Sequence, residues 1–122
     1  PGGFKAFEHL WAISDAFALH SLVGKQRVAD RTAELATRLK QGLAAMPHVT
    51  LQTPMSPELS AGIVSFDVAG MTPHAVVDRL RDWKVIGSVA PYARQHVRLT
   101  PSIRNFPEEI DFVLNAIGQM KA

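Results

Sequence analysis

Cysteine is absent from this chain of 122 residues. That excludes a disulfide framework and any thiolate metal site, and it fits a reducing compartment, so a cytoplasmic location is expected. No apolar run approaches the ~18 residues needed to cross a bilayer, so no membrane role is expected. Charge of one sign is scarce as well. Thirteen Lys and Arg face eleven Asp and Glu for a formal +2, and the basic residues are scattered along the chain. A nucleic-acid footprint needs a basic patch or stripe, so no nucleic-acid partner is expected. Several catalytic patterns are missing too: a glycine-rich phosphate loop, metal-ligand spacing among His9, His20, His48, His74 and His96, and a nucleophile elbow around Ser60, Ser65, Ser88 or Ser102. No repeat or low-complexity tract is present. The opening Pro1-Gly2-Gly3-Phe4 has neither an initiator Met nor a charged signal-peptide start, and the chain is expected to be part of a longer protein.

What is there suits a single globular domain. Apolar residues make up 47% and charged residues 20%, ordinary proportions for a chain able to bury a modest core. From about Lys5 to Val23 the pattern predicts a helix with few polar positions. Phe7, Leu10, Trp11, Phe17, Ala18 and Leu22 form one face, while Ala12, Ile13, Ala16 and Leu19 cover much of the rest. A helix apolar nearly all round is normally buried on several sides, so a covering neighbour is expected.

Gly24 interrupts that run, and a second helix is predicted over Lys25 to Ala45. Val28, Thr32, Leu35, Leu39, Leu43 and Met46 step at three- and four-residue intervals along one stripe. Arg27, Asp30, Arg31, Glu34, Arg38 and Lys40 are read as its solvated face, with Glu34 and Arg38 paired at i,i+4. Strands are predicted over His48–Gln52, Gly62–Val68, Val85–Val89 and Gln95–Thr100. A helix from Thr72 to about Trp83, capped by Thr72 with Pro73 at its first position, lies between the second and third strands. A last helix, from about Pro107 to Met120, opens on Glu108, Glu109 and Asp111, with Asn105 expected as its cap. This order predicts an α+β two-layer sandwich: a small, mostly antiparallel sheet with helices on one side, preceded by a long interrupted helix.

The most telling stretch is Val97-Arg98-Leu99-Thr100, then Pro101-Ser102-Ile103-Arg104-Asn105, then Phe106-Pro107-Glu108-Glu109-Ile110-Asp111. Alternation sends Val97 and Leu99 to one face of the strand and His96, Arg98 and Thr100 to the other. The planar guanidinium of Arg98 suits two-pronged capture of a carboxylate or phosphate. Taken alone, the residues leave two readings: Arg98 binds a ligand, or it pairs with a structural carboxylate of the last helix.

The spacing Arg-Leu-Thr, four residues, Asn, then Glu-Glu-Ile-Asp resembles the C-terminal signature of the class V aminotransferase family of pyridoxal-phosphate (PLP) enzymes. Pro1 to Glu8, with Phe7-Glu8, is similar to the segment where that family leaves its large domain, and Ser60 to Phe66 to its first small-domain strand. The isopenicillin N epimerase-like branch looks nearest. The resemblance implies an interdomain helix over residues 1–24 and the small domain of a fold-type I enzyme over residues 25–122. The large domain, with the catalytic lysine, would lie upstream. None of Lys5, Lys25, Lys40, Lys84 or Lys121 sits in the family's lysine motif.

Arg98 would then grip the α-carboxylate of an amino-acid substrate, with Ser88, Tyr92 and His96 beside it. The cofactor would be PLP, held mainly by the large domain, and the full-length enzyme a homodimer. Three departures stand out. The loop Ser88–Tyr92 lacks the cysteine of the family's desulfurases, so persulfide chemistry is not expected. His9-Leu10-Trp11 replaces the Gly-Thr that contacts phosphate across the dimer in many members. Phe106-Pro107 replaces the usual Thr cap. The alternative function is a free-standing, non-catalytic α+β module that binds a small carboxylate or a protein partner.

Overall fold

A computed structural model describes residues 6–120. The chain divides into two compact units, Pro1–Asp30 and Arg31–Ala122. In the first lie α1 (Phe7–Trp11) and α2 (Ile13–Val23), which meet at Ala12, whose backbone stays in the right-handed helical region, so they form the interrupted helix the sequence predicts. Its expected start at Lys5 lies outside the described residues. Gly24 then turns the chain with φ of +96°, a conformation in which a side chain would be strained. Neither α1 nor α2 buries a residue; Trp11 is 74% exposed and Leu22 82%.

α3 (Lys25–Ala44) runs on from Gly24. In the second unit it is followed by β1 (Val49–Leu51), β2 (Val64–Val68), α4 (Pro73–Asp82), β3 (Ser88–Val89), β4 (Val97–Leu99) and α5 (Pro107–Gly118). The strands form one sheet in the order β1-β2-β4-β3, and all three pairings are antiparallel. The fold is α+β, as the hydrophobic periods imply.

Period-two alternation sorts the sheet into two faces. Val64, Phe66 and Val68 of β2 and Val97 and Leu99 of β4 are buried together with Leu35, Leu39 and Leu43 of α3, Val76, Val77 and Leu80 of α4, and Ile110 and Ile117 of α5. The three helices thus cover one face. The intervening residues Ser65, Asp67 and Arg98 are only half-buried on the other.

Several local expectations are corrected. The third strand shortens to two residues. Lys84 takes a left-handed φ of 62° and the Val85 N–H returns to the Leu80 carbonyl, so residues 84–87 serve to end α4, and Ile86 stands 94% exposed. Lys40 is not on a solvated face: it is 2% exposed, and its Nζ donates to the carbonyls of Pro54 and Met55 and to Ser60 Oγ. Glu34 pairs with Arg31, one turn earlier, which frees Arg38 to form a two-pronged pair with Asp111 of α5 at 2.7 and 2.6 Å.

Asn105 does not cap α5. Its Oδ1 accepts from the Ser102 N–H and hydroxyl, closing the turn after β4, and Glu109 reaches back to the Phe106 N–H at 2.7 Å instead.

Candidate functional site

The open face of the sheet gathers the polar residues. Register sets Ser65 of β2 and Ser88 of β3 on either side of Arg98 of β4. One row further along, the antiparallel pairing of Phe66 with Val97 brings Asp67 opposite His96. His96 Nδ1 lies 2.8 Å from Asp67 Oδ2, and Gln52 Nε2, just beyond β1, donates to the same oxygen at 2.9 Å. Both members keep some access to solvent, with 19% of the His96 side chain and 33% of the Asp67 side chain exposed.

Arg98 has no ion pair among the described residues. Its Nε is sealed from solvent yet has no hydrogen-bond partner there, and it is the one buried side-chain nitrogen or oxygen in that condition. A buried donor left unpaired costs about 1–3 kcal/mol, so such groups are rare in settled cores. The structural-carboxylate reading of Arg98 therefore has no partner to name. The acidic residue on this face is engaged by His96, and Asp111 of the last helix is engaged by Arg38.

Of the four residues expected at the site, Arg98, His96 and Ser88 share this face. Tyr92 lies in the connection between β3 and β4, as expected, and is 70% exposed. The Ala90 N–H donates to the His96 carbonyl at 2.9 Å and closes that connection. Asp67 and Gln52 were not anticipated. Their parity on β1 and β2 was legible, but the register that sets Asp67 against His96 was not.

A depression of about 840 Å³ opens at the β3 edge, with Trp83, Leu99, Ile110 and Phe112 among its walls. Ser88 and Arg98 border it as well. Alternation along β4, however, puts Leu99 on its side of the sheet and the Arg98 side chain on the other. The part of Arg98 that faces Gly87 is its carbonyl, 3.5 Å from where a Cβ on that glycine would stand.

Chemically, the open face offers a guanidinium, an imidazole held by a carboxylate, and two hydroxyls. That set suits a small carboxylate. Of the lysines near it, Lys40 is tied to the 54–60 loop, while Lys84 borders the depression. Among the described residues, no group of three or more His, Asp or Glu side chains could hold a metal ion. No helix there is long and apolar enough to cross a membrane.

No family model matches the sequence, and no curated protein matches it. Solved structures do share the fold. A complex of the cystine C-S lyase C-DES with its reaction product cysteine persulfide is 23% identical with a TM-score of 0.78, covering 88% of this chain and 28% of that one. The apo cysteine desulfurase from Thermococcus onnurineus NA1 is 21% identical with a TM-score of 0.87, covering 98% and 32%. A lysine-to-alanine variant of C-DES with glycine covalently linked to its PLP cofactor is 23% identical with a TM-score of 0.77, covering 87% and 27%. The chain thus has the fold of a segment of C-S lyase and desulfurase structures. It spans about a third or less of their length.

Proposed function

We propose that this chain is the small domain of a PLP-dependent enzyme of the class V aminotransferase type that acts on an amino acid. In this reading Arg98 binds the substrate's α-carboxylate. The observation that carries it is the Arg98 guanidinium, with its buried and unpartnered Nε, on a sheet face whose carboxylate is already engaged. Support also comes from the Arg-Leu-Thr to Glu-Glu-Ile-Asp signature and from the fold shared with a segment of PLP-containing C-DES. The reaction is of the aminotransferase, epimerase or lyase type, and the resemblance of the terminal signature favours the epimerase-like branch.

When bound by the rest of such an enzyme, PLP supplies the electron sink for charge developing at the substrate's Cα. This domain supplies orientation. Arg98 fixes the carboxylate through two charge-assisted hydrogen bonds, which limits rotation of the Cα substituents and sets which bond faces the reacting groups. Ser65 and Ser88 flank the guanidinium and add hydroxyls that donate to the same carboxylate.

The test is Arg98→Ala and Arg98→Lys in the parent enzyme. Charge-assisted hydrogen bonds contribute about 1.5–3 kcal/mol, so KM for the amino acid should rise about tenfold or more in Arg98→Ala. Arg98→Lys should recover part of that loss, and the cofactor absorbance should stay as in the wild type. An unchanged KM overturns the assignment.

A further inference from the structure

We propose that His96 and Asp67 form a proton-accepting pair beside Arg98. His96 Nε2 takes a proton from the α-ammonium group of the amino acid whose carboxylate Arg98 holds, and Asp67 is the positioning residue that fixes the imidazole. This rests on the reading of Arg98 above and adds a role for two side chains that carboxylate binding does not require.

Asp67, as a carboxylate, only accepts hydrogen bonds, so the 2.8 Å contact to His96 Nδ1 puts the proton on Nδ1. In the neutral ring the lone pair is then on Nε2. That nitrogen has no partner among the described residues, and it is not sealed from solvent. Gln52 holds the same Asp67 oxygen from the far side, so the carboxylate is tethered from two directions and the ring inherits a fixed orientation. His96, which immediately precedes β4, and Arg98 within it are two residues apart, roughly 6.6 Å along an extended chain. An amino acid carries its carboxylate and its ammonium group on one carbon, so a molecule anchored at Arg98 holds its ammonium group within reach of the neighbouring position.

The charged groups on this face are Asp67 from β2 and Arg98 from β4 itself. β1 contributes Thr50, opposite Asp67, and β3 contributes Ser88, opposite Arg98. Arg94 of the adjoining connection is exposed. The core residues of α3, α4 and α5 pack on the opposite face, and the buried cation among those helices, Lys40, is engaged by Pro54, Met55 and Ser60. Asp67 thus balances the imidazolium that proton uptake creates.

The step balances. An N–H bond of the ammonium group breaks and its electron pair stays on the amine nitrogen, while an N–H bond forms at Nε2. The substrate ends as a neutral, nucleophilic amine, the form in which an amino acid attacks a carbonyl-derived carbon. Since His96 must be the free base to accept, the step is available at higher pH and lost as the imidazole protonates.

The test uses the full-length enzyme with three readouts. First, His96→Gln should lower kcat/KM for the amino acid about a hundredfold at neutral pH and flatten its decline on the acid side. Asp67→Asn should change the tautomer of the His96 ring seen by 15N spectroscopy, which a purely structural residue would not do. Second, propionate, which has a carboxylate and no amine, should bind His96→Gln as it binds wild type, but bind Arg98→Ala at least tenfold more weakly. Third, the 15N imidazole spectrum of the wild type should show His96 protonated on Nδ1 and bare on Nε2. An Nε2-protonated ring overturns the proposal without any variant, and so does a His96→Gln profile of wild-type shape and height. Propionate binding unaffected by Arg98→Ala would instead remove the carboxylate reading on which the pair depends.

Discussion

Lys40 shows how much a single side chain can organise. It sits on α3 among Leu35, Ala36, Leu39 and Leu43, and among the described residues it alone of the charged side chains is buried. Burying an ammonium group is unfavourable unless its three N–H bonds are met. Here they are, by two backbone carbonyls and Ser60 Oγ, and that hydroxyl donates onward to the Ser56 carbonyl at 2.8 Å. The loop of Thr53 to Ser60, rich in proline and serine and without strand or helix, is therefore fastened to α3 by one cation just ahead of β2. Lys40→Met keeps the length of the stem and removes the three donors. We expect a loss of about 2–3 kcal/mol, read as a lower urea midpoint at unchanged slope. An unchanged midpoint would mean the loop holds its own shape.

At the scale of elements, α5 is tied at its first turn by two carboxylates. Glu109 accepts the Phe106 N–H and, at 3.3 Å, Asn105 Nδ2, and these bonds hold its carboxyl below the ordinary 4.5. The hydrogen bonds from Arg38, reinforced by its charge, hold Asp111 below the ordinary 3.8. A carboxyl lowered by folding contributes stability that is present above its unfolded value and is lost as pH falls through its folded one. The denaturation midpoint should therefore stay level from pH 7 to about pH 5 and fall below about pH 4. Glu109→Gln keeps an oxygen for the Phe106 N–H but does not titrate, so the acid decline should become shallower. A decline as steep as the wild type's would remove Glu109 from the account.

The order of elements was legible in the sequence because each depends on a local period. The three- and four-residue steps of Leu35, Leu39 and Leu43 and the alternation of Val64, Phe66 and Val68 read correctly from neighbours alone. What escaped depends on residues far apart in the chain. Arg38 prefers Asp111, 73 positions away, to the adjacent turn's Glu34. Lys40 finds partners 14 to 20 positions away. The site follows the same rule: His96 and Arg98 are legible as a pair two residues apart, whereas Asp67 comes opposite His96 only through the antiparallel register of β2 with β4.

For the molecule as a whole, the distribution of buried surface sets what should happen when part of it is removed. Every member of the main core cluster lies between Leu35 and Met120, and the helices at the other end of the chain bury nothing. Phe7, Leu10, Trp11, Ile13, Phe17, Leu19 and Leu22 are all more than half exposed. Apolar surface of that extent is a site of association in most soluble proteins. Removing residues 1–24 leaves α3 whole and takes no residue from the cluster. The shortened chain should unfold in one cooperative transition with a midpoint near that of the intact chain. Its binding of an apolar dye and its concentration-dependent association should both fall sharply. A shortened chain without a cooperative transition would show instead that the exposed helices contribute to the stability of the sheet domain. The distribution of buried side chains would then misrepresent where this protein's stability lies.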